Sequence, residues 1–100
     1  VINNPSISYG SGVFSLFHGG IQNFRSNNTG TTIGTGILVT SARLAVVSTT
    51  QGFLPPVMTA TQASAIGSPA QGLMLFVTNT NGTFTSVGWW GYNGSAWQQL

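Results

Sequence analysis

Aspartate and glutamate are missing from all 100 residues, cysteine is missing too, and the only cations are Arg25 and Arg43. Each gap excludes a chemistry. Ordinary glycoside hydrolysis needs a pair of carboxyl groups that this chain does not have. A Ser-His-Asp triad would lack its orienting acid, and calcium sites are built on carboxylates. His18 is the only strong nitrogen ligand, so one chain cannot assemble a zinc site. A site shared by three copies, with His18 on a threefold axis, is the arrangement left open. A hydrogen-bonded His18 in an apolar strand is the simpler reading. The chain is therefore not expected to be an enzyme, and no catalytic residue, metal or cofactor is expected. A net charge of +2 carried by two isolated arginines makes no basic patch, so neither nucleic acid nor an anionic membrane is an expected partner. Without cysteine the redox compartment cannot be read. No apolar run approaches the ~20 residues of a membrane span, so membrane insertion is not expected, and no signal-peptide pattern is present. The first residue is Val1 rather than Met, which suggests a mature product or an excised piece with more protein upstream.

What is present is uncharged polarity: 13 Thr, 11 Ser, 8 Asn and 6 Gln, with 14 Gly between them, where an ordinary globular chain is about 25% charged. One hundred residues make one small domain, which buries roughly two-thirds of the surface of its unfolded form and is marginal alone. The stretch organising the chain is Gly52-Phe53-Leu54-Pro55-Pro56-Val57-Met58-Thr59. Pro55 and Pro56 fix two φ angles and remove two N–H donors, and each pushes the residue before it towards extended conformations. The span is stiff and cannot be a central strand. Phe53 and Leu54 on one side and Val57 and Met58 on the other give it apolar anchors, so it reads as a clamp laid across a core. Thr59 with Gln62 makes a Thr-x-x-Gln capping box. Ala60 to Ile66 then reads as about two helical turns, with Gly67 as the stop and Pro69 preventing continuation.

Around this clamp the pattern is that of strands. Val1 to Gly10 is turn-rich, with Asn4-Pro5 as a breaker, and reads as an extended arm. Gly12 to Phe17 carries apolar residues on both strand faces, which implies burial on both sides. Gly19-Gly20 ends that run, and Ile21 to Arg25 is a short return strand. Ser26 to Gly30 is a loop. Asn27-Asn28-Thr29, Asn81-Gly82-Thr83 and Asn93-Gly94-Ser95 fit glycosylation sequons, but they read as turn chemistry. Ile33 to Thr40 is glycine-rich without the lysine and following helix of a phosphate loop. Arg43 to Ser48 and Leu73 to Val77 are strands. Asn81-Gly82 and Asn93-Gly94 are two-residue hairpin signals, giving further strands at Thr83–Tyr92 and Ser95–Leu100. That register sets Leu73 opposite Trp90 and Trp90 opposite Trp97. One face then holds Leu73, Leu75, Val77, Phe84, Trp90, Tyr92 and Trp97, and the other holds Met74, Phe76, Val87, Trp89 and Ala96. Two apolar faces in so small a meander imply a second partner surface, most simply another copy of the chain.

Ser41-Ala42-Arg43-Leu44, then Ser48-Thr49-Thr50-Gln51-Gly52-Phe53-Leu54-Pro55-Pro56, then Met58-Thr59-x-x-Gln62-x-x-Ala65-Ile66 resembles a module of bacteriophage tail fibres and of similar fibres in large algal viruses. The match continues through Ser68-Pro69-Ala70-x-Gly72-Leu73 and Tyr92-Asn93-Gly94-Ser95-Ala96-Trp97, about residues 31 to 100. Relatives usually have Arg where this chain has Val57, and often Arg-Asp where it has Ala63-Ser64, so a structural ion pair there is replaced by apolar contact. The resemblance implies a mainly β fold of short antiparallel strands with a C-terminal meander and one short helix (about 59–66), assembled as an intertwined homotrimer. Residues 1–30 would be an N-terminal arm and strand region, and residues 31–100 a β-rich fibre head module.

The function this implies is a structural domain of a trimeric viral fibre at the virion surface, outside the cell, alongside other fibre or tail proteins and contacting a host-surface glycan or receptor. Aromatic rings stack on apolar sugar faces while amides satisfy hydroxyls, which singles out Trp89, Tyr92, Asn93 and Trp97. Core or trimer interface is the competing role for each of these aromatics. Two other functions fit the sequence: a connector or capsid decoration without a receptor, and a carbohydrate-binding module, which would be monomeric.

Overall fold

The computed structural model describes residues 6–10 and 12–100. The chain divides into two compact units, the first ending at Phe53 and the second starting at Leu54. The first is a five-stranded sheet of β1 (Ser6–Gly10), β2 (Val13–His18), β3 (Ile21–Ser26), β4 (Thr31–Gly34) and β5 (Leu44–Val47), in that spatial order. The expected boundary after residue 30 falls between β3 and β4 of this sheet. Part of the expected N-terminal arm is a strand: Ser6–Gly10 pairs antiparallel with β2, while residues 1–5 lie outside the described residues.

Gly19 and Gly20, at φ 59° and 77°, form the two-residue turn that brings His18 opposite Ile21. Positive φ at both central positions is the type I′ geometry, which matches the strand twist and which glycine adopts without strain. Asn27 closes the next turn. Its Oδ1 accepts from the N–H groups of Thr29 (2.9 Å) and Gly30 (3.2 Å), and its own N–H donates to the Gly30 carbonyl (3.0 Å). Most strand pairs are antiparallel, as expected, and β4 and β5 add a parallel pair. A parallel neighbour needs a crossover, and Thr35–Arg43 supplies it.

The second unit contains β6 (Val57–Met58), α1 (Ala60–Ser64), β7 (Met74–Val77), β8 (Gly88–Tyr92) and β9 (Trp97–Gln99), with the sheet ordered β6-β7-β8-β9. Strand β6 follows the prolines and lies at the sheet edge, parallel to β7. The Pro56 carbonyl accepts from the Phe76 N–H (2.9 Å). Helix α1 begins in a capping box: Thr59 Oγ1 accepts from the Gln62 N–H (3.2 Å), and Gln62 Oε1 accepts from the Thr59 N–H (2.9 Å). The helix is shorter than the expected span to Ile66. Its last turn tightens, with the Ala65 N–H shared between the Thr61 and Gln62 carbonyls and the Ile66 N–H turned to Ala63. The left-handed residue is Ser68 (φ 47°), not Gly67.

Both expected hairpin registers are corrected by two residues. Leu75 rather than Leu73 faces Trp90, and Trp97 faces Tyr92 rather than Trp90. The cause is again asparagine. Oδ1 of Asn81 accepts from the N–H groups of Thr83 (2.9 Å) and Phe84 (2.8 Å), and Oδ1 of Asn93 accepts from those of Ser95 (2.8 Å) and Ala96 (2.9 Å). Each asparagine thus wraps a four-residue turn instead of a two-residue one. Thr83–Val87 becomes loop, and β8 starts at Gly88. A shift of two keeps every side chain on its expected face.

The hydrophobic core lies in this second unit. Ala60 and Ala63 on α1 pack against Leu75, Val77 and Trp90 of the sheet, and Phe84 from the loop fills the remaining space. Phe84 meets Trp90 edge-on with ring centroids 5.2 Å apart. The buried Trp90 indole donates to the Ser86 carbonyl (3.0 Å), so its N–H is satisfied. Among the described residues no hydrophobic side chain of the first unit is buried. No described helix is long and apolar enough to cross a membrane.

Candidate functional site

In a sheet, paired residues share a face and alternate along each strand. The register of the first unit therefore sorts its side chains into two surfaces. On one, Ser8, Ser15, Arg25, Thr32 and Ala45 form a row across all five strands. This row is covered at its β2 and β4 positions, where Ser15 is 5% and Thr32 0% exposed, and open at Ser8. Ser15 Oγ accepts from Gln22 Nε2 (2.8 Å), and the Thr32 hydroxyl donates to the Ile37 carbonyl (3.5 Å). Apolar residues in β2 implied burial on both faces of that strand, yet its buried residue is Ser15.

The other surface is apolar. Ile7, Leu16, Phe24, Ile33 and Val46 form one cross-strand row. Tyr9, Phe14, Ser26, Thr31 and Leu44 form the next. Phe14 and Phe24 meet edge-on at 6.1 Å, and the ends of the rows stand open, with Ile7 71% and Leu44 57% exposed. Neither arginine lies in these rows. The Arg43 guanidinium donates to the carbonyls of Asn28 (3.1 Å) and Thr29 (3.4 Å), pinning the Asn27 turn. In this unit the enclosed side chains, Ser15 and Thr32, are polar, while large apolar side chains stand exposed.

The second unit has an apolar surface opposite its core. Met74 and Trp89 are exposed there, and Trp89 stands edge-on to Phe76 at 5.1 Å. The four residues expected to contact a glycan divide. Trp89 is on this outer face. Tyr92 and Trp97 lie on the core side, 5.3 Å apart, and Trp97 also packs on Phe84 at 5.2 Å. Asn93 spends its carbonyl oxygen on its own turn. Beside Trp89, the row Met74–Gly91–Gln98 has no side chain at its centre. A trough of about 360 Å³ opens there against Leu100 and reaches Tyr92 and Asn93.

Of the clamp residues, Pro55 is buried and Met58 packs against the core. Phe53 and Leu54, expected as its anchors, are 68% and 79% exposed in their own chain. His18 is exposed at the end of β2, and the described residues contain no group of three or more side chains able to hold a metal ion. Sequence reasoning missed Asn79, whose Oδ1 accepts the Ala60 N–H (2.7 Å). It also missed the apolar face of β1–β5, which becomes visible only once the strands are placed in order.

No curated protein matches the chain, and no solved structure does. Residues 32–100 match the model of a family described as a phage tail like trimerisation region. That span takes in Ile33, Leu44 and Val46 of the first unit's apolar surface and the whole of the second unit, and a trimerisation region accounts for apolar sheet faces that find no partner within one copy. The chain belongs to the family of phage tail-like trimerisation regions.

Proposed function

We propose that this chain is a structural, non-catalytic segment of a phage-type fibre at the virion surface, and that the fibre it builds serves host attachment. A trimerisation region fits a homotrimer that associates with other tail proteins. The observation that carries the reading is apolar surface without a partner: Ile33, Leu44 and Val46, on one face of the first unit's sheet, are exposed within one copy. Contiguous apolar patches of this kind mark interaction surfaces, and three copies covering one another's faces would remove them from water at about 25 cal/mol per Å². Light scattering tests this on the purified chain. The expected mass is three times the 10.4 kDa of one copy, and a folded, stable monomer at micromolar concentration would overturn the reading.

Host contact falls to the second unit in this proposal. Trp89 offers an exposed ring, and Asn93 keeps its amide N–H groups free of the turn its oxygen makes. Tyr92 and Trp97, partly withdrawn against the core, frame the edge. A glycan array probed with the trimer, and with Trp89→Ala at unchanged oligomeric mass, is the test. A signal lost in the variant supports attachment through this surface. A silent array assigns the trimer to the role of connector or decoration.

A further inference from the structure

We propose that the contact between copies runs beyond the matched region, through β3 and β2 to β1, along the two apolar rows, with two further copies of this chain as its occupants. The inference rests on the trimeric reading above and states which surface the copies share.

The family match enters the first unit at residue 32, inside β4. It therefore takes in Ile33 and Val46 but not Phe24, Leu16 and Ile7, which continue the same row strand by strand. Neighbouring strands are about 4.8 Å apart. A copy seated over Ile33 thus comes up against Phe24, its direct cross-strand partner, and Phe24 and Phe14 already form one aromatic pair. Stopping the contact at β4 would leave Phe24 at the rim of a covered Ile33, and Phe14, Tyr9 and Ile7 in water further along the same face. The opposite face cannot take this role, because Ser15 and Thr32 are already enclosed by their own chain. Charge does not oppose the arrangement. Each copy carries +2, yet Arg25 stands in the polar row and the Arg43 guanidinium is turned to the Asn27 loop, so stacking the apolar rows brings no cations face to face.

The chain has no cysteine, so a single introduced thiol reports on one position. The test uses the full chain as Ile7→Cys, Ile33→Cys and Ser8→Cys, with the mass of each checked by light scattering and the thiol alkylated by a maleimide. Ile7 and Ser8 are both exposed in one copy, so neither substitution disturbs packing inside the chain. In the trimer, Ile7→Cys and Ile33→Cys should react at least about tenfold more slowly than Ser8→Cys, and all three should react alike in urea. A trimer lost in Ile7→Cys but kept in Ser8→Cys also supports contact at β1. Protection at Ile33→Cys with Ile7→Cys as reactive as Ser8→Cys would confine the contact to the matched region and overturn the inference while leaving the trimer standing. Equal reactivity of all three in a trimer overturns it as well. A monomeric parent chain removes the trimeric reading itself.

Discussion

Asn79→Ala should destabilise the protein more than loss of the helix cap itself. A helix start leaves backbone N–H groups without intrahelical partners. Here Thr59 N–H is taken by Gln62 Oε1, Gln62 N–H by Thr59 Oγ1, and Ala60 N–H by Asn79 Oδ1 at 2.7 Å. The environments differ. Gln62 is exposed and Ala60 is 1% exposed. Removing the Thr59 hydroxyl leaves a donor that water can reach, at a cost of about 1 kcal/mol. Removing the Asn79 oxygen leaves the N–H of a residue that is 1% exposed without its partner, which costs about 1–3 kcal/mol. At roughly 4–8 °C per kcal/mol for a domain of this size, thermal melts at one fixed protein concentration separate the two variants. Asn79→Asp keeps an acceptor oxygen and should stay within about 0.5 kcal/mol of the parent. If Asn79→Ala melts no lower than Thr59→Ala, or Asn79→Asp falls as far as Asn79→Ala, the reasoning is wrong.

Gly34→Ala should cost at least about 2 kcal/mol, because Gly34 sits at φ +104° and a Cβ there would overlap the Val47 carbonyl oxygen; Gly52→Ala, with open space around it, is the control, and equal denaturation midpoints would refute the close approach. Phe84→Ala should lose about 3–5 kcal/mol together with the near-ultraviolet dichroism of Trp90 and Trp97, both of which Phe84 contacts; an unchanged aromatic signal would mean that the cluster does not depend on it. Stability should be nearly flat between about pH 3 and about pH 9, because acid unfolding mostly reflects native carboxylates losing favourable partners as they take up protons and this chain has no carboxylate side chain. Moderate NaCl should matter as little, since there are no side-chain ion pairs to screen. A broad acid transition in thermal melts would contradict the argument.

Local chemistry was legible in the sequence because it is decided over three or four residues. The Thr59–Gln62 box, the Gly19-Gly20 turn and the alternation that puts Leu75, Val77 and Trp90 on one face all follow from neighbours along the chain. Face assignment even survived a wrong register, since side chains repeat every two residues and the error was two. What tertiary structure decided involves partners far apart in sequence. Asn81 and Asn93 turn their side-chain oxygens on the backbone and lengthen the turns, where Asn-Gly alone reads as a shorter one. The parallel pairing of β4 with β5 depends on a crossover whose path no local signal prescribes. Asn79 reaches Ala60 across 19 positions. The apolar rows from Ile7 to Val46 are single residues scattered over five strands, and they become a surface only when strand order sets them side by side. Sequence by itself determined which residues turn, cap and alternate; the tertiary structure decided which face was left without a partner, because that depends on what each strand lies beside.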